Sequence, residues 1–213
     1  MKKSLLAMLI ILAVSFIIGL YLYPKMPYDM ASHWNAAGEV DGYISKFWGL
    51  FLIPIISVAM FLLFLALPLL DPLKNNVNKF RSYYDGFMIM MTGFMFYLYV
   101  MTLLWNVGYK FNMLVWLTPS FAILFYYSGV LIQHAKRNWF IGIKTPWTLS
   151  SDYVWDKTHK LGAKLFKLTG AICLLGMILP KYAIWFVLVP VLATAIATMV
   201  YSYVVYKRKG KKK

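Results

Sequence analysis

"SLLAMLIILAVSFIIGLYLY" occupies Ser4–Tyr23 and carries no charged side chain. Two readings compete for it. Met1-Lys2-Lys3 in front imitates the basic start of a secretory signal, but a signal's apolar core runs ~7–15 residues and closes on a small-residue cleavage site. This run is longer, and Tyr21-Leu22-Tyr23-Pro24 supplies no small residues. It reads as a retained helix, because about 20 apolar residues at ~1.5 Å each cross a ~30 Å hydrocarbon core.

The same pattern recurs along the chain. Further apolar stretches of spanning length lie at Phe47–Leu70, Gly86–Val107, Phe111–Ile132, Leu161–Leu179 and Tyr182–Tyr206. Backbone groups in lipid must be satisfied within the segment, so all six are expected as helices. The fifth is the weakest, and Lys164 and Lys167 within it would have to snorkel toward the headgroups. Composition agrees: 62% of the 213 residues are hydrophobic and 14% charged, against about a quarter charged in soluble domains. The fold class is an all-α polytopic membrane protein with a six-helix bundle. Cys173 is the single cysteine, so no intramolecular disulfide shapes the loops.

Basic residues gather on the cytoplasmic side of a membrane. With both termini inside, only Lys25, Lys46, Lys110 and Lys181 of the 22 basic residues fall outside. This predicts an N-in, C-in topology. The division expected is a two-span part at 1–85 with an outer loop at 24–46, and a four-span part at 86–206 with an inner loop at 133–160. A basic tail follows at 207–213. A juxtamembrane basic cluster of this kind holds anionic lipid at about 1 kcal/mol per residue, so membrane lipid is the expected partner there and direct nucleic-acid binding is not.

The spans narrow the function. Spans one to four and six hold no Asp, Glu, Lys, Arg or His, whereas ion-coupled transporters keep ionisable groups near the midplane. Ser15, Thr92, Thr118, Ser120, Ser128 and Thr169 are expected to bond their own helices or neighbouring ones as packing contacts. Tyr97 and Tyr99 lie deep and call for hydroxyl partners.

Particularity resides in two loops. The outer one contains "SHWNAAGEVDGY" over Ser32–Tyr43. Its glycines and its Asp-Gly pair signal turns. One reading is a compact cap, with Trp34 on the bundle and His33 and Asn35 bonding loop backbone. Others are a metal site from His33, Glu39 and Asp41, or a general base at His33 oriented by one of those acids. The spacing matches no metal motif, and no cofactor is expected. In the inner loop, Thr145-Pro146 should be extended, and Ser150 or Ser151 should cap a helix running into span five. Asp152, Trp155, Asp156 and His159 then share a face, and Asp156 and Lys160 form an i,i+4 pair. This segment reads as interfacial, with Trp139, Trp147 and Trp155 at headgroup depth. A docking site or an acid–His site is its functional alternative.

Both loops resemble one family. "MPYDMASHWNAAGEVDGYISK" (Met26–Lys46) resembles an N-terminal domain of unknown function marked by a proline, His-x-Asn, a glycine and an acidic-Gly turn. "NWFIGIKTPWTLSSDYVWDKTHKLGAKLF" (Asn138–Phe166) resembles the C-terminal signature of the SdpI immunity proteins. The resemblance implies a non-enzymatic protein that protects its host from a secreted peptide toxin and signals to a cytoplasmic regulator. The positions it implicates are His33, Asn35, Gly38 and Gly42 outside, and Asn138, Gly142, Lys144, Thr145, Pro146, Trp155 and His159 inside. Lys144 stands where relatives carry arginine, which keeps the charge but loses bidentate bonding. The rival readings are a membrane enzyme acting on lipid or cell-wall precursors, with or without a metal, and a small transporter.

Overall fold

The computed structural model describes residues 2–210. Six long helices carry the chain: α1 (Lys2–Leu22), α2 (Lys46–Leu70), α4 (Arg81–Val107), α5 (Met113–His134), α7 (Asp152–Cys173) and α9 (Ala183–Gly210). Short helices α3 (Lys74–Asn78), α6 (Pro146–Leu149) and α8 (Leu175–Ile178) lie in the connections. Six helical segments are long and apolar enough to cross a membrane. Met1 and the tail residues Lys211, Lys212 and Lys213 fall outside the described residues.

The all-α expectation needs one correction. The loop after α1 is an antiparallel hairpin, β1 (Asp29–Trp34) and β2 (Val40–Ser45), with Met30 opposite Ile44 and Trp34 opposite Val40. The register is irregular around His33. A connector of this length must satisfy many backbone groups, and pairing two strands does so locally. Met30 and Ala31 point inward and are buried, and Met30 joins Met26, Leu50, Phe51, Tyr99 and Leu103 in an apolar cluster at this end of the bundle.

The helices pack in two groups. α1, α2 and α4 contact one another; α7 lies between α5 and α9; α4 against α5 is the seam. A larger cluster at the opposite end joins Met8, Phe61, Val77, Phe80, Tyr84, Leu131, Ile141 and Trp155. It brings residues of the inner loop against α1, α2 and α4.

Most small polar side chains in the spans bond their own helix as expected. Ser15 donates to Ile11 O, Thr92 to Met88 O, Thr118 to Val115 O, Ser120 to Leu117 O and Ser128 to Leu124 O. Thr169 instead crosses to α9, where its hydroxyl lies 3.0 Å from that of Thr194. Tyr97 donates to Trp116 O at 2.7 Å. Tyr99 departs from expectation: its buried hydroxyl faces Gly19 and has no hydrogen-bond partner among the described residues.

The helix that feeds the fifth span starts where the expected serine cap places it, and it departs from the sequence reading at its far end. α7 begins at Asp152, capped by the Ser151 hydroxyl, which accepts from Val154 N–H at 3.4 Å. The helix breaks at Leu174 before α8. Lys167 does not snorkel freely but donates to Gln133 Oε1 at 2.6 Å.

Candidate functional site

The inner loop is built around Asn138. This fully buried amide uses its whole hydrogen-bonding capacity. Its Oδ1 accepts the N–H of Phe140 at 2.9 Å and of Ile141 at 2.6 Å. Its Nδ2 donates to Lys136 O and Ile141 O, both at 2.8 Å. One side chain thereby replaces the secondary structure that residues 136–141 lack.

Gly142 follows with φ +121°, a backbone conformation that suits glycine. A Cβ there would run into His159 Nε2. The turn hands the chain to His159, whose Nε2 accepts the Ile143 N–H at 3.0 Å. His159 Nδ1 donates to Trp155 O at 2.9 Å. With one nitrogen accepting and one donating, the ring is neutral imidazole. Its face stacks on Trp155, with centroids 3.9 Å apart. Trp155 Nε1 in turn donates to Ala135 O at 2.9 Å. Trp155 is fully buried within the protein rather than facing lipid headgroups, and its indole N–H closes the loop onto the end of α5. Trp139 stays exposed, and Trp147 packs on Tyr203 of α9 at 5.0 Å between centroids.

Thr145 is extended at φ −127°, ψ 161°, as the following proline requires. It forms a capping box with Thr148 over α6, and its hydroxyl lies 3.0 Å from that of Ser202 on α9. Pro146 fills the first turn of α6, where a missing N–H costs nothing. Pro146 and Lys144 are exposed.

The acid–His arrangement does not form on α7. Asp152 pairs with Arg137 at 2.7 Å, and Asp156 remains exposed. Both nitrogens of His159 are already committed to backbone. The Asp156–Lys160 pair is absent as well, since no ion pair among the described residues joins them.

Three residues that the sequence reading passed over hold this loop. Asp71 is buried, takes the Leu73 N–H on one oxygen at 2.7 Å and the Trp139 N–H on the other at 2.9 Å. Asn76 donates to Arg137 O at 2.9 Å. Ser202 belongs to a stripe with Thr194 and Thr198 at four-residue spacing on α9, and all three are buried. That spacing is a readable signal; nothing in the sequence around Asp71 marks it as a buried acceptor.

At the other end, Asn35 shapes the hairpin turn. Its Oδ1 accepts the N–H of Ala37 at 2.9 Å and of Glu39 at 3.1 Å. Gly38 has φ +82°, and a side chain there would strike Asn112. A Cβ on Gly42 would meet His33 Cβ at 2.9 Å. His33 bonds a side chain, not the backbone: its Nδ1 contacts Asp41 Oδ1 at 2.5 Å, and both groups are exposed. Glu39 is drawn instead to Asn35 Nδ2 at 3.3 Å. Among the described residues no three His, Cys, Asp or Glu side chains converge as a metal site would require.

Two asparagines dock the hairpin. Asn106, at the end of α4, pairs with both backbone groups of Ala31, accepting its N–H at 2.7 Å and donating to its carbonyl at 3.0 Å. Asn112 caps α5 through Val115 N–H and donates to Ala37 O at 3.0 Å. Trp34 meets Trp105 edge-on at 5.8 Å. A cavity of about 330 Å³ lies under the hairpin, bordered by His33, Trp34, Trp48, Leu98 and Met113.

Six membrane-length helices, a docked hairpin at one end and a hydrogen-bonded loop at the other fit a polytopic membrane protein with two ordered loop surfaces. Residues 134–202 match the SdpI/YfhL protein family, and residues 10–58 match a domain of unknown function, DUF1648. The chain is 27% identical over 209 residues to the immunity protein SdpI of Bacillus subtilis (strain 168), an alignment that covers 98% of each protein. By these matches the chain is similar to the SdpI/YfhL family, with a DUF1648-like region on its N-terminal side. No solved structure matches it.

Proposed function

We propose that this protein gives its host resistance to a secreted antimicrobial peptide. It would sit in the plasma membrane with both termini in the cytoplasm and the hairpin outside. The observation that carries the reading is end-to-end similarity to a protein named for immunity. The hairpin's construction supports a binding role for it. It is held to α4 and α5 by side-chain amides, so its outer surface is presented in one arrangement. That surface carries the His33–Asp41 pair and the exposed rings of Tyr28, Tyr43 and Trp48, and His33 and Trp48 border the apolar cavity. Exposed rings, a polar pair and an apolar recess suit an amphipathic peptide arriving at the outer leaflet. Asn35, Gly38 and Gly42 shape this surface; His33 would touch the peptide.

The inner loop is the second face of the reading. Lys144 and Pro146 stand exposed on a loop whose backbone is fixed by Asn138, Gly142, Thr145, Trp155 and His159. An ordered exposed loop of this kind suits docking of a cytoplasmic regulator.

The test is survival. Cells expressing the protein would be challenged with a panel of secreted membrane-active peptides, beside cells expressing His33→Ala or Tyr43→Ala at equal levels. Protection by the parent, reduced in the variants, is expected. Failure to protect against any peptide at full expression would overturn the reading.

A further inference from the structure

α7 presents a ladder of lysines toward α5. Lys160, Lys164 and Lys167 fall at i, i+4 and i+7 and so share one face. Lys136 joins them from the loop after α5. Together with Gln133 and Asp156 they border a cavity of about 490 Å³. Its charge is strongly unbalanced, with four ammonium groups facing one carboxylate. No ion pair among the described residues neutralises any of the four.

One rung is preorganised. Lys167 donates to Gln133 Oε1 at 2.6 Å, and its stem crosses Gly129 so closely that a Cβ there would lie 2.9 Å from Lys167 Cγ. Its ammonium is therefore held in place before any ligand arrives, which lowers the entropy cost of binding. From Lys160 to Lys167 the ladder climbs about 10 Å along the helix, enough to cross one headgroup layer of about 5–7.5 Å. Beyond Lys167 the surface changes character. Leu168 is 56% exposed, and on the neighbouring α5 Tyr126 and Ile123 are 54% and 62% exposed. Positive charge thus gives way to open apolar surface along the membrane normal.

We propose that this groove binds the phosphate of an anionic phospholipid from the leaflet at the basic end of the bundle. Lys160, Lys164 and Lys167 hold the headgroup, Lys136 closes over it from the loop, and the acyl chains lie along Leu168, Tyr126 and Ile123. The inference rests on the six helices crossing a membrane and is independent of toxin resistance. A soluble phosphate would use the lysines but not the apolar surface above them, and that separates the two ligands. Bound lipid would also clamp the inner loop to α7, because Lys136 and the ladder would share one phosphate.

The experiment is native mass spectrometry of the full chain in detergent, offered phosphatidylglycerol, phosphatidylcholine or inorganic phosphate. Wild type should retain phosphatidylglycerol over phosphatidylcholine, and a large excess of inorganic phosphate should not displace it. The triple variant Lys160→Gln/Lys164→Gln/Lys167→Gln should retain about a hundredfold less, given about a fivefold contribution from each juxtamembrane lysine. Lys25→Gln/Lys46→Gln/Lys110→Gln, an equal loss of charge at the hairpin end of the bundle, should behave as wild type. Lys164→Glu, at an exposed position, tests the site if the triple variant fails to fold and should also lose the lipid. Unchanged retention in the ladder variants, equal loss in the hairpin-end variant, or displacement by inorganic phosphate would each overturn the proposal.

Discussion

Replacing Asn138 by alanine should unlock the inner loop. The side chain makes four hydrogen bonds, two accepted and two donated, and is fully buried. At about 1 kcal/mol net for each bond, the loss comes to about 4 kcal/mol. The backbone groups left behind stay out of water, so no solvent contact offsets the loss. For a chain of this size ~1 kcal/mol moves the melting temperature by ~2–4 °C, so a fall of about 10 °C is expected. The assay is a thermal melt in detergent, read by intrinsic tryptophan fluorescence because Trp139 and Trp155 flank the loop. Asn138→Asp sharpens the test. It keeps both accepted bonds but sets a carboxylate against the carbonyls of Lys136 and Ile141, so it should not rescue. A melt of Asn138→Ala within 2 °C of wild type, a smaller shift than about 1 kcal/mol would give, would refute the claim that this amide organises the loop.

Gly142→Ala should destabilise by about 1–3 kcal/mol, because its φ of +121° suits glycine and its Cβ would strike His159; the same melt measures it. Trp155→Phe keeps the stack on His159 but loses the bond to Ala135 O, so about 1 kcal/mol should disappear while the fold persists by circular dichroism. Asn106→Leu should free the hairpin from α4, seen as faster hydrogen exchange across residues 29–45 with the amides of α7 unchanged. Exchange at the hairpin equal to wild type would mean that Asn112 and the burial of Met30 hold it without Asn106.

The membrane class and the six helices were legible in the chain because both follow from one-dimensional quantities. Uninterrupted apolar length sets what lipid will accept, and a single run such as Ser4–Tyr23 carries that information alone. The cap of α7 was nearly as local: Ser151 acts on backbone three residues on, so its type and position announced it. Other features depended on partners far along the chain. The hairpin was hidden because its strands are short and its anchors, Asn106 and Asn112, lie 75 positions from the groups they bond. Asp71 receives Trp139 across 68 positions, and nothing in its neighbourhood marks it as a buried acceptor. Trp155 and His159 had the spacing of a membrane-facing stripe, and periodicity cannot say which side of a helix meets protein. Tertiary packing decided that, because burying the Trp155 ring requires a carbonyl for its N–H, and only the end of α5 brings Ala135 to it.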